Sequence, residues 1–107
     1  MPRYMIQIRY SADAVKAMVA KPSNRKNAAR QVTKQLGGKL VDAYFTFGDW
    51  DAVVIADLKK DTDAMASALA VGAAGAGSTK VTVLHSMDEA TEAMAKAGKL
   101  KYRPPQG

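Results

Sequence analysis

The chain is 107 residues long, the size of one domain, and folding such a domain buries roughly 60–70% of its surface, enough for a core without disulfide or metal staples. It contains no Cys, which excludes a disulfide framework, thiolate zinc sites and a cysteine nucleophile, and fits a reducing, cytoplasmic setting. Its net charge of +6 is unevenly placed: residues 1–39 carry nine Lys/Arg and the single acid Asp13, whereas residues 40–95 carry nine acids against three lysines. Opposite charges within one domain favour self-association at least as much as polyanion binding.

Met1-Pro2-Arg3 leads directly into Tyr4–Tyr10, which alternates apolar with polar residues at the two-residue period of a half-buried strand. Ser11 offers a cap for a helix bearing Ala14, Val15, Met18 and Val19, which Pro22 interrupts. Ser23 is expected to cap a second helix over about residues 24–36, with Arg25, Lys26, Arg30 and Lys34 on its outer side, and Gly37-Gly38 ends it. Residues 41–47 and 52–58 then form two strands around Gly48-Asp49-Trp50-Asp51, read as the tip of a hairpin in which Gly48 opens a two-residue loop. Asp61 is expected to cap an alanine-rich helix whose end is loosened by Gly72, Gly75 and Gly77. Residues 79–85 form a fourth strand, and Ser86-Met87-Asp88-Glu89 has the capping-box spacing that opens a last helix to about Ala97. Residues 1–98 are read as one domain, and 99–107, with Pro104-Pro105, as a basic extended tail. The most apolar stretch, around residues 64–76, is too short and too glycine-interrupted to span a bilayer.

The order β-α-β-β-α-β plus a terminal helix predicts an α+β, ferredoxin-like antiparallel sheet with helices on one face and strand order 4-1-3-2. On that order Tyr4, Ile6, Ile8, Tyr10, Asp51, Val53, Ile55, Asp57, Val81, Val83 and His85 are expected beneath the helices. The open face would carry Met5, Gln7, Arg9, Leu40, Asp42, Tyr44, Trp50, Ala52, Val54, Ala56, Thr82 and Leu84, too apolar to stay wet. A second copy is the expected cover, with Trp50, Val54, Leu84, Tyr44 and Arg9 as interface residues.

The tyrosine-rich first strand ending in Tyr10-Ser11, Gly37-Gly38-Lys39-Leu40, the spaced Tyr44, and Gly48-Asp49-Trp50-Asp51 followed by Val53-Val54-Ile55 resemble the GYD domain family, near the dimeric α/β-barrel group. The resemblance covers about residues 4–86. It implies a ferredoxin-like fold and a dimer, and no particular chemistry. The naming signature is Gly, an aromatic that is usually Tyr, and Asp; here the aromatic is Trp50, so no role at that position can rest on a tyrosine hydroxyl.

Three residues are weak catalytic candidates: Asp51, Tyr10 and His85. His85 is the only imidazole, the side chain type that exchanges protons near neutral pH, but the predicted sheet puts it and Asp51 at opposite ends, on the order of 15–20 Å apart. Asp51 is expected to accept backbone hydrogen bonds beside the turn; its functional alternative is a carboxylate at the mouth of a cleft beside Tyr10, the candidate ligand site. No metal-ligand cluster or phosphate loop is present in the sequence, and no cofactor is expected. The preferred reading is a homo-oligomeric module that holds a small ligand or helps assemble a larger complex. The rival is a cofactor-independent or haem-using monooxygenase-like enzyme of the dimeric α/β-barrel type, which is analogy from fold. Nucleic-acid binding through the basic helix ranks third, because RRM-like binding needs exposed aromatics on the central strands and the first strand offers Gln7 and Arg9 there.

Overall fold

A computed structural model of the chain describes residues 1–106. The alternating N-terminal segment forms β1 (Arg3–Tyr10). Ser11 then accepts a hydrogen bond from the Ala14 amide at 3.1 Å and opens α1 (Ala12–Ala20), which stops short of Pro22. The second helix, α2 (Arg25–Gln35), is capped by Asn24, one residue after the expected Ser23: its Oδ1 accepts from the Lys26 amide at 3.0 Å. Gly37, at φ +74°, turns the chain into β2 (Lys39–Phe45), a conformation that costs a side-chain-bearing residue about 1 kcal/mol. After β3 (Ala52–Asp57) the chain enters α3 (Asp61–Ala73), β4 (Gly77–Leu84) and α4 (Met87–Gly98). At the start of α4 the Ser86 hydroxyl accepts from the Glu89 amide and the Glu89 carboxylate from the Ser86 amide, each at 3.0 Å, the expected reciprocal cap.

All strand pairs are antiparallel, and the order is β2-β3-β1-β4, the ferredoxin-like arrangement read from the element order. Two details of that reading are corrected. The β2–β3 connection spans residues 46–51 and is not a two-residue turn; the Thr46 amide donates to the Asp51 carbonyl at 2.8 Å, and Thr46 Oγ1 donates to the Trp50 carbonyl at 2.6 Å.

The second correction concerns the phase of β3. Ile6 lies opposite Val54 and Met5 opposite Ile55, and directly paired residues share a face. Ala52, Val54 and Ala56 therefore lie on the Tyr4–Ile6–Ile8 side beneath the helices, and Val53, Ile55 and Asp57 on the open side, the reverse of the expectation. Val54 is thus not on the open face. Leu40 also moves beneath the helices, because the register shifts between Leu40 and Asp42; the extra residue of a bulge reverses the alternation on either side of it. Asp42 and Tyr44 stay on the open side, as do Arg9 and Leu84.

The fully buried core is small: Tyr4, Ala56, Leu58 and Ala64, each 1% exposed, with Leu36 packed against them. Gly38 makes this close approach possible, since a Cβ there would meet the Asp57 carbonyl and lie 2.6 Å from Leu58 Cδ2. Tyr4 puts its hydroxyl to use by donating to Asp61 Oδ1 at 2.5 Å. Asp61, expected as a helix cap, is instead the first residue of α3, and Lys60 occupies the cap position. The fourth helix, α4, stands off from this body with Met87 and Met94 exposed, and the molecule measures 58 × 37 × 23 Å. Among the described residues no helix is long and apolar enough to cross a membrane.

Candidate functional site

Small side chains beneath the helices leave a cavity of about 420 Å³ between the sheet and helices α2 and α3. Its floor is Ile6, Ile8 and Tyr10 from β1 with Ala52, Val54 and Ala56 from β3. The walls are built the same way: α2 turns Ala28, Ala29 and Val32 toward it, and α3 turns Ala70, Val71 and Ala74. Alanines on both sides of the gap cannot meet across it, so packing that would normally fill an interior is missing here.

The two ends of α2 give the cavity different characters. At the C-terminal end Leu36 and Leu58 close it with hydrocarbon. At the N-terminal end Asn24, Arg25 and Lys26 contribute to the lining, near Tyr44 and Phe45 of β2. Phe45 stacks on Tyr10, with ring centroids 6.0 Å apart at 25°, the offset geometry aromatic pairs favour. No carboxylate and no imidazole lines the cavity among the described residues.

Lys26 is tied to the edge strand by Asp42, Nζ to Oδ1 at 3.0 Å. Asp42 also accepts from the Ala43 amide and from the Tyr44 hydroxyl, both at 2.8 Å. The Ala43 amide bond foremost, then Lys26 and Tyr44, hold the Asp42 carboxyl down at about 2, and the same carboxylate pushes the Tyr44 phenol up. At the opposite end of the sheet the bond to Asp61, with burial, pushes the Tyr4 phenol up to about 12. Arg3 and Asp57 pair there at 2.8 Å on the open side, which lowers the Asp57 carboxyl.

The structure separates the three candidate residues. Tyr10 lines the cavity. Asp51 does not; its Oδ2 accepts the Tyr10 amide at 2.8 Å, while its own amide donates to the Ile8 carbonyl. His85 follows β4 at the other end of the sheet, where Leu84 lies opposite Arg3, and its Nδ1 is 3.4 Å from Glu89 Oε2. Five β1 residues at ~3.3 Å each separate that end from Ile8, so His85 and Asp51 do not meet. Trp50 is half-buried in the 46–51 connection. No group of three His, Cys, Asp or Glu residues with metal-binding geometry exists among the described residues.

Arg25 and Lys26, expected with Arg30 and Lys34 on the outer side of α2, instead line the cavity, whose extent the sequence did not reveal. The available signal was the coincidence of Ala28-Ala29, Ala70 and Ala74 on helices that must pack over Ala52 and Ala56.

The family model described as GYD domain matches residues 4–94. The chain belongs to the GYD domain family. No curated protein and no solved structure matches it. The match takes in the sheet from Tyr4 onward, the cavity and most of α4, so the GYD domain is the unit that carries the site; residues 95–107 lie beyond it.

Proposed function

We propose that the protein is a homo-oligomeric binding module: copies pair through the helix-free face of the sheet, and each holds a small, mainly apolar molecule in the cavity between sheet and helices. The observation that carries the ligand reading is the cavity itself, apolar over its floor and walls and within the ~300–1,000 Å³ range of small-molecule sites. Its lining favours holding a molecule over transforming one, since besides the cations and Tyr44 at the rim, whose hydroxyl is bonded to Asp42, the Tyr10 phenol is the one lining group that could exchange a proton among the described residues. Pairing is supported by the open face, where Met5, Val53, Ile55 and Leu84 lie together, only half-buried, beside an exposed Tyr44.

Nile red, a neutral dye that brightens in apolar surroundings, tests the cavity. Saturable binding near one dye per chain is expected, and Ala70→Phe combined with Ala28→Phe should abolish it while circular dichroism stays unchanged. Equal binding by the filled variant, or none by the wild type, overturns the ligand reading. For the pairing, light scattering at micromolar concentration should give a dimer or larger, and Ile55→Glu should give monomers because the added charge would be desolvated without a partner. A monomeric wild type rules the pairing out.

A further inference from the structure

The cavity's few polar groups are nearly all spoken for. Thr33 donates its hydroxyl to the Ala29 carbonyl and Ser67 donates to the Ala64 carbonyl, each at 2.7 Å. Asn24 Oδ1 is occupied by the Lys26 amide, and the Lys26 ammonium by Asp42. Arg25 is different. It lines the cavity, it is exposed, and among the described residues it makes no ion pair or side-chain hydrogen bond. Its neighbour Lys26 adds a second positive charge, offset by Asp42, and no acid lines the space to oppose them.

We infer that the cavity selects an amphiphilic anion, a molecule with an apolar body and a carboxylate head, with Arg25 as the head-group partner. This rests on the ligand reading above and specifies its chemistry. The guanidinium offers a planar fork that matches a carboxylate bidentately. The body would lie over Ile6, Ile8 and Val54 toward Leu36, where burying hydrocarbon is favourable. An ammonium-headed ligand would meet the unpaired Arg25 cation and no acid in the lining. A neutral ligand would gain the apolar burial and leave Arg25 unused. The volume suits a short chain or a small ring system: at ~30 Å³ per water, it corresponds to about 14 water volumes.

The experiment compares decanoate with decan-1-ol, which share a hydrocarbon body and differ in the charge of the head, by displacement of bound Nile red at concentrations below self-association. Wild-type protein should bind decanoate about tenfold or more tightly than decanol, the scale of a charge-assisted hydrogen bond. Arg25→Gln should remove most of that preference by weakening decanoate alone, and Arg25→Lys should fall between the two because it keeps the charge and loses the fork. Decanol displacing the dye as well as decanoate does, or an undiminished preference in Arg25→Gln, overturns the head-group inference and leaves the apolar cavity standing. Failure of both probes to displace the dye, or of the dye to bind at all, brings down the cavity reading and the inference with it.

Discussion

Asp51 offers the sharpest separation of a structural role from a chemical one. Its Oδ2 accepts the Tyr10 amide at 2.8 Å, its amide donates to the Ile8 carbonyl and its carbonyl accepts from Thr46. The side chain thereby continues the β1–β3 ladder where the strand pairing stops. Asp51→Ala removes a charged acceptor and leaves the Tyr10 amide without a protein partner, at a cost of about 2 kcal/mol. Asp51→Asn keeps the shape and a neutral carbonyl oxygen, so it should cost only about 1 kcal/mol. With a urea slope of ~1–2 kcal/mol/M, the alanine variant should unfold about 1–2 M earlier and the asparagine variant about half as far. The measurement is urea unfolding followed by circular dichroism, at one fixed chain concentration so that any association contributes equally. If Asp51→Ala unfolds at the wild-type midpoint, the bond does not hold the loop, and Asp51 with Tyr10 becomes the first pair to test for chemistry.

Gly38→Ala should destabilise by about 2–3 kcal/mol, because the new methyl meets the Asp57 backbone and the buried Leu58 with nothing flexible to yield; an unfolding midpoint within error of wild type would contradict the close approach. Acid should weaken the fold through Asp42, whose carboxyl is held at about 2 against an ordinary 3.8. Its contribution is complete above about pH 4 and is lost as pH falls toward 2, since protonation then favours the unfolded chain. Asp42→Asn should accordingly flatten the stability profile between pH 4 and 2, and an unchanged slope would show that the Ala43, Lys26 and Tyr44 bonds do not stabilise the charged form.

The parts of this protein legible in its sequence are those with a local cause. Ser11, Gly37 and the Ser86–Glu89 pair mark helix ends through bonds a few residues long, and alternation in residues 4–10 sets both the existence and the phase of β1. In β3 the same logic gives the strand and loses its phase, because Val53, Val54 and Ile55 are apolar on both parities and only the pairing of Ile6 with Val54 decides between them. The bulge after Leu40 is likewise a property of two strands together. Tyr4 and Asp61 are 57 positions apart, so their bond is invisible until β1 and α3 are in place, although a tyrosine on a buried face does call for a hydroxyl partner. The cavity is least legible of all. Alanine is a strong helix former, and Ala28, Ala70 and Ala74 read as propensity until the helices are seen to face Ala52 and Ala56.

The stance of α4, with the helix- and strand-free residues that follow it, governs how the molecule drifts in solution. The Cα radius of gyration is 17.4 Å, whereas a compact chain of this length would have one of about 13 Å. An extended particle meets more friction than a sphere of equal mass, so a single chain would leave a sizing column early and resemble a dimer of ordinary shape. Sedimentation velocity would register the same excess as a raised frictional ratio. A truncation ending at Gly98 would shed the tail's share of that drag, and one ending at His85 the share of α4 as well, leaving a body that tumbles faster than the lost mass alone explains.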